Sequence, residues 1–471
     1  MATRNLLALG GLAALATFAL GGLDAAFAPG GTPGMLAAPA AADDDDDGGG
    51  RGWRGGGRFF DDDDDDRPRR RGPRFYVEDD DDDDVEVYYE PRWPTPRAQR
   101  RQAPPRRAAA PPEFVAAGVT QEALGRLRAA GFSIIAERRL GLLPEATVRV
   151  AAPRNLRAAR ARTRLTELAP GAVIGANVFY RPNARPACPE RACFPYEPEH
   201  WSVPVCPARG PVGMIDTRVD PGHPALANRA IEAVSTRGEK RKPSDPAHGT
   251  EVAILLAGAR AEPDDLKLVA VDAFHRVGSD DRADVFDLVA ALDLLSERGV
   301  GVVNLSLAGP ANEVLERAGQ KAAERGMILV AAVGNEGPKA KPRYPAAYPW
   351  AVGVTAVDAR GLPYAKAGRG EHVAFAAPGV RLELPDAALK PGRQRSGTSY
   401  ASPLVAAALS SLKAQSNGRP ATEIVAALAA GVEDKGEPGR DPVFGWGTLP
   451  QDKGCPAAVK GEAPAQAYSR E

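Results

Sequence analysis

Cysteine, histidine and methionine are scarce in this chain, at four, five and four of 471 residues. The cysteines (Cys188, Cys193, Cys206 and Cys455) and the five histidines do not make up the two spaced ligand pairs of a zinc site, and none is expected. The aspartate runs lack the spaced ligands and turn glycine of a calcium loop. The arginine-rich pieces near the N-terminus have no folded reader motif beside them, so nucleic acid is not an expected partner. Only a short tail, 453–471, follows the last regular region, too little for a translocating β-barrel.

The formal net charge of −1 hides an uneven distribution. Three runs, Asp43–Asp47, Asp61–Asp66 and Asp79–Asp84, hold seventeen of the 61 acidic residues, so the rest of the chain is basic. Alternating charge blocks with few apolar residues cannot offset the entropy of ordering, and 29–112 reads as a disordered Asp/Arg/Pro/Gly-rich linker. Before it, Arg4, an apolar stretch from Leu6 to about Leu23 and the small residues Ala25, Ala26 and Ala28 read as an export signal over 1–28. The alternative is an uncleaved membrane anchor, since the apolar stretch nears spanning length. Either way the protein is expected to be exported, secreted or periplasmic, and its cysteines are expected to pair as Cys188 with Cys193 and Cys206 with Cys455.

Regular structure begins at residue 113. "EFVAAGV" and "FSIIAERR" read as strands flanking the Thr-capped helix "TQEALGRLRAAG". "TVRVAA", an Arg/Ala/Leu helix from about Asn155 to Leu168 and "AVIGANVFYRP" complete a β-α-β-β-α-β, ferredoxin-like α+β unit over 113–180. A Pro- and Cys-rich connector, 181–206, leads to 207–452. There, continuous apolar strands ("VGMID", "KLVAVDAF", "GVGVVNLSL", "MILVAAVG", "AVGVTAVD") alternate with helices expected at Arg282–Arg298 and Glu313–Arg325. That pattern predicts an α/β fold, a parallel sheet covered by helices on both faces, with its chemistry beyond the carboxyl ends of the strands.

Four polar residues fall at such ends or at helix starts: Asp216, His248, Asn335 and Ser399. They are the parts of an acyl-transfer site: a carboxylate to orient an imidazole, the imidazole base, an amide donor for an oxyanion, and a nucleophile at a helix N-terminus. From about Pro207 to Leu449 the chain resembles the subtilisin-like serine proteases (subtilases). The resemblance rests on "DTRVDPGHPAL", "HGTEVA", "VVNLSLAGP", "AAVGNEG", "RYPAAYPWAVGVTAVD", "FAAPG" and "GTSYASP" in that order; subtilisin's Asp-His-Ser order is itself a standard example.

The resemblance implies a serine endopeptidase with Ser399 as nucleophile, His248 as base and then acid, Asp216 as orienting carboxylate and Asn335 as oxyanion donor. It implies that polypeptide substrates add as a strand along Ser306, Leu307, Ala308 and Gly309. It places Ala332, Gly334 and Glu336 at the pocket for the residue before the scissile bond, and makes Tyr344–Pro345 a candidate cis peptide. The 113–180 unit then looks like a prodomain that assists folding and occupies the cleft until cut between about Tyr180 and Val212; the alternative is a separate interaction module. No cofactor is required, and a structural calcium ion stays open.

Arg218, Glu251 and Ile254 depart from the family pattern of Asp-Thr-Gly, His-Gly-Thr-His and a helix glycine. Glu251 follows His248 by three residues on nearly the same helix face and is expected to raise its pKa on close approach. His223 reads as structural, and His200, His275 and His372 have no partner visible in the sequence. Two other readings remain: a catalytically impaired binding protein on the same fold, and an acidic-tract calcium- or surface-binding protein carrying a processing protease.

Overall fold

Residues 110–182, 208–257 and 266–450 are described by the computed structural model. The expected signal, cysteine pairs and aspartate runs lie outside them, as does the expected linker except for its last three residues, 110–112. All described residues belong to one compact unit, 101–471.

The small α+β unit comprises β1 (Glu113–Val119), α1 (Gln121–Ala129), β2 (Ser133–Arg139), β3 (Ala146–Ala151), α2 (Ala158–Leu168) and β4 (Val173–Ala176). Its antiparallel sheet has the order β2-β3-β1-β4, the ferredoxin-like arrangement. Thr120 caps α1 by accepting from Ala123 N at 3.2 Å, as its position before the apolar run predicts. Period-2 alternation divides β1 between two cores. Phe114 and Ala116 pack with the unit's own helices, while Val115 and Ala117 join residues of the larger domain.

The sequence "AVIGANVFYRP", read as a single strand, is two. After β4 the chain turns through Asn177–Val178, and β5 (Phe179–Pro182) leaves the small sheet altogether. The expected unit boundary at residue 180 therefore falls inside a strand.

The larger domain begins with β6 (Gly210–Asp216), β7 (Ala230–Ser235), α3 (Pro246–Ala257), β8 (Leu266–Asp272), β9 (His275–Val277), β10 (Asp280–Asp284) and α4 (Val285–Glu297). It continues with β11 (Val302–Leu305), β12 (Leu307–Ala308), α5 (Glu313–Glu324), β13 (Ile328–Ala332), β14 (Ala351–Val357) and β15 (Val373–Pro378). The hairpin β16 (Leu382–Pro385) and β17 (Pro391–Arg395) precedes α6 (Thr398–Ala414) and α7 (Ala421–Ala429). Seven strands form one parallel sheet in the order β15-β14-β13-β11-β6-β8-β7.

Both faces of that sheet are covered, as its uniformly apolar strands require. Val212, Met214, Ile328 and Val330 face the core shared with α3, α6 and α7. Ile215, Leu329 and Ala331 alternate onto the core shared with α4 and α5. Helix α4 starts at Val285 and not at Arg282, because Asp284 caps it through Asp287 N at 3.1 Å. The preceding residues pair as β10 with β9 and β5. The Tyr344–Pro345 peptide is cis.

The small sheet docks on α4 and α5 through charge as well as apolar contact. The buried Asp284 accepts Arg149 of β3 at 2.9 Å and Arg241 at 2.6 Å. Asp287 accepts Arg241 at 2.6 Å and Arg138 of β2 at 3.4 Å. Asn312 caps α5 and also donates to Ala176 O at 2.8 Å.

Burial, and secondarily the neighbouring Asp284, push Asp287 up to about 7. The unfolded value is about 3.9. Between those values the unfolded chain has released a proton that the folded chain retains, so this carboxyl makes stability fall as pH rises through about pH 4 to 7. Asp287→Asn is expected to flatten that slope in thermal unfolding measured at intervals of pH. An unchanged slope would mean that Asp287 is already ionised throughout the window.

Candidate active site

The four polar residues singled out in the sequence converge at the carboxyl edge of the parallel sheet. Asp216 is the last residue of β6, His248 lies in the first turn of α3, Asn335 follows β13, and Ser399 is the second residue of α6. Asp216 is fully buried because β6 is central in the sheet, and its Oδ1 lies 2.6 Å from His248 Nδ1. The same oxygen accepts Thr217 N at 2.6 Å, which fixes the carboxylate plane.

Helix α3 approaches at its glycine. Gly249 N donates to Thr217 Oγ1 at 2.9 Å, and a Cβ on Gly249 would run into the Thr217 carbonyl. Arg218 is accommodated in the adjoining turn, where its N–H donates to Ser244 Oγ at 2.8 Å. Ile254 is buried in the core, and His223 caps a short 3-10 helix by accepting Ala225 N at 3.2 Å. His275 stacks edge-on against Phe179, with ring centroids 6.3 Å apart.

Helix α6 positions Ser399 through a feature not singled out in the sequence reading. Pro403, four residues on, has no N–H to close the helical bond to Ser399 O. Ser306 Oγ donates to that carbonyl at 2.8 Å, and itself accepts Asn304 Nδ2 at 2.9 Å. A proline at this offset in a helix is the sequence signal that a side chain from elsewhere must satisfy the freed acceptor.

Thr398 was also missed. Its N–H and Oγ1 donate to Asn335 Oδ1 at 3.1 and 3.2 Å, and its Oγ1 accepts Gly334 N at 3.2 Å. With Oδ1 turned to Thr398, the Asn335 amide group points away from it. Gly334 holds a φ of +107° that favours glycine. Ala332 ends β13, and Glu336 accepts Asn335 N at 2.9 Å and lies 3.3 Å from Arg343.

Along Leu307–Ala308 runs β5, antiparallel, with Leu307 opposite Pro182 and Ala308 opposite Arg181. Tyr180 is wholly buried, and its hydroxyl donates to Pro310 O at 2.6 Å. Its ring occupies the space that a side chain at Gly309 would need. Arg282 sits 4.1 Å over the Phe179 ring.

Burial alone pulls His248 down, but the charge and hydrogen bond of Asp216 outweigh it, leaving the imidazole above its ordinary 6.5. Glu251 adds to the rise and Arg395 opposes it. Glu251 does not bond His248, because its carboxylate is held by Arg395 and Tyr400. Among the described residues no cluster of His, Cys, Asp and Glu is placed to hold a metal ion, and no helix is long and apolar enough to cross a membrane.

A covered parallel sheet with a carboxylate-histidine pair and a helix-borne serine at its carboxyl edge is the architecture of the subtilisin-like α/β proteins. Residues 211–447 match the Subtilase family, peptidase S8, and the chain belongs to that family. It is 28% identical over 258 residues to the minor extracellular protease Epr of Bacillus subtilis (strain 168), covering 53% of this chain and 39% of that one. It is 32% identical over 212 residues to subtilisin BL of Lederbergia lenta, covering 43% and 75%. The crystal structure of fervidolysin from Fervidobacterium pennivorans, a keratinolytic enzyme related to subtilisin, aligns with a TM-score of 0.58 at 19% identity. That alignment covers 78% of this chain and 63% of fervidolysin and supports the fold. The chain thus spans well under half of Epr and somewhat under two thirds of fervidolysin.

The expected outcome for His248 is an NMR titration midpoint above 6.5 in the wild type. In Asp216→Asn burial dominates, and the midpoint should drop below 6.5. A midpoint unmoved by that substitution would remove Asp216 as the cause.

Proposed function

We propose that this chain is an exported serine endopeptidase held as a proenzyme by its own small α+β unit. The observation that carries this reading is β5 on β12. A segment of the chain already lies as an added antiparallel strand on the backbone where the family seats a polypeptide substrate. In this reading Ser306, Leu307, Ala308 and Gly309 form the substrate wall, and Ala332, Gly334 and Glu336 line the pocket before the scissile bond.

Ser399 Oγ attacks the substrate carbonyl carbon while His248 Nε2 takes its proton. Asp216 holds the Nδ1–H tautomer that leaves the Nε2 lone pair available, and offsets the charge of the imidazolium. The carbonyl oxygen becomes an oxyanion, received by the Asn335 amide and the Ser399 backbone N–H at the positive end of α6. Collapse breaks the C–N bond, His248 returns the proton to the leaving amine, and an acyl-enzyme remains. Water, deprotonated by His248, attacks the acyl carbon; Ser399 leaves with the proton, and the carboxylic acid is released.

The register supports a maturation cut soon after Pro182, since the chain runs from Tyr180 beside Gly309 toward Ser306 and the start of α6. The name of one relative, the minor extracellular protease Epr, supports export.

Intact mass and peptide mapping of the full chain are the test. Wild type is expected to cut itself within the first few residues after Pro182 and to form a Ser399 adduct with a serine-directed phosphonate; Ser399→Ala should do neither. Asn335→Ala should cut more slowly by about 10²–10³. Wild type that stays whole and takes no phosphonate overturns the peptidase reading. Tyr180→Ala should slow self-cleavage about ten- to a hundredfold, the factor for about 1.5–3 kcal/mol of lost aromatic burial. An unchanged rate would deny β5 its place as the bound strand.

A further inference from the structure

Glu251, Arg395 and Tyr400 are brought together from three elements next to His248. Glu251 lies on α3 three residues after His248, Arg395 ends β17, and Tyr400 follows Ser399 in α6. Arg395 places Nε 2.7 Å and a terminal nitrogen 2.5 Å from Glu251 Oε1. Tyr400 donates its hydroxyl to Glu251 Oε2 at 2.8 Å, so both carboxylate oxygens are bonded. Tyr400 is itself buried, and its ring lies against the imidazole, centroids 5.7 Å apart and planes at 54°. A carboxylate bonded twice and half-buried is a rigid anchor, unlike an exposed pair that solvent screens.

We infer that Glu251, Arg395 and Tyr400 form a positioning array for His248. The ion pair pins the tyrosine hydroxyl, the pinned ring fixes the face of the imidazole it touches, and the two opposite charges balance each other at the ring. This rests on reading His248 as the general base. The charged groups that face the imidazole are Asp216 from β6, Glu251 from its own helix and Arg395 from β17, with Tyr400 from α6 beside them. Burial, and then the Glu251 charge, hold the Tyr400 phenol well above its ordinary value, so it remains the donor in this chain. Glu251 pulls the imidazole toward the charged form and Arg395 away from it, so removing one alone leaves the other unbalanced.

The experiment measures the acidic limb of kcat/KM against pH, which reports the free enzyme's base. The proteins are wild type, Glu251→Gln, Arg395→Gln, the double variant and Tyr400→Phe, all made as the full chain. In parallel, His248 is titrated by NMR in the Ser399→Ala background, which needs no turnover. Glu251→Gln is expected to lower the midpoint by roughly 0.5 pH unit, and Arg395→Gln to raise it by about as much. The double variant should return close to wild type. Tyr400→Phe keeps the ring but loses the anchor, and kcat should fall about three- to tenfold with KM little changed.

Midpoints that stay put, or that move the same way in both single variants, overturn the array. So does Tyr400→Phe acting on KM alone, which would make the tyrosine a wall for substrate. Wild type that fails to react with a phosphonate defeats the peptidase reading, yet the NMR titrations still decide the array. Should Glu251→Gln not fold, Glu251→Asp replaces it: the charge is kept and the reach shortened, so kcat should fall without a shift of midpoint.

Discussion

The hydrogen bond from Ser306 Oγ to Ser399 O ties the first turn of α6 to the parallel sheet. Helix α6 carries a proline where its ladder would close on Ser399, so its first turn cannot complete itself. The missing donor comes from the segment between β11 and β12, the same backbone along which β5 is paired. The residue that satisfies the helix thereby sets the distance between the serine and the strand edge. Thr398 makes the corresponding link on the other side, joining the start of α6 to Gly334 and Asn335.

Docking of the small unit follows the same economy of shared atoms. Asn312 is at once the cap of α5 and a donor to Ala176, and Asp284 is at once the cap of α4 and the acceptor for Arg149. Each helix terminus that would need an acidic or amide cap in any case also serves as a contact for the small sheet. Val115 and Ala117 supply the apolar part from the face of β1 that its own helices leave uncovered.

Much of the architecture was legible because its signals are local. Uniformly apolar strands alternating with helices gave the covered parallel sheet, and a threonine before an apolar run gave the α1 cap. The boundary between β4 and β5 was not legible: both halves are extended, and only pairing with β10 and β12 separates them. Helix α4 was read three residues too early because Arg282, Ala283 and Asp284 suit a strand or a helix equally. Asp216, His248, Asn335 and Ser399 stand out in the sequence by their places at element ends and by motif order. The link from Glu251 to Arg395 spans 144 residues and has no local signature. Glu251 was accordingly read as a neighbour of His248 alone, when the structure gives its carboxylate to two other side chains.

The turn at Asn177–Val178 joins β4 to β5 by only two residues, so β5 and the docked sheet hold the larger domain at two points on one short leash. Its local concentration is set by that leash and not by the bulk solution. On the proposed reading, a cut beyond Pro182 severs the strand at its far end and leaves the leash intact. The newly made end then rebinds faster than an outside peptide can compete. On that reading processing and release would be separate events, the site becoming free only when the small sheet itself leaves or is digested.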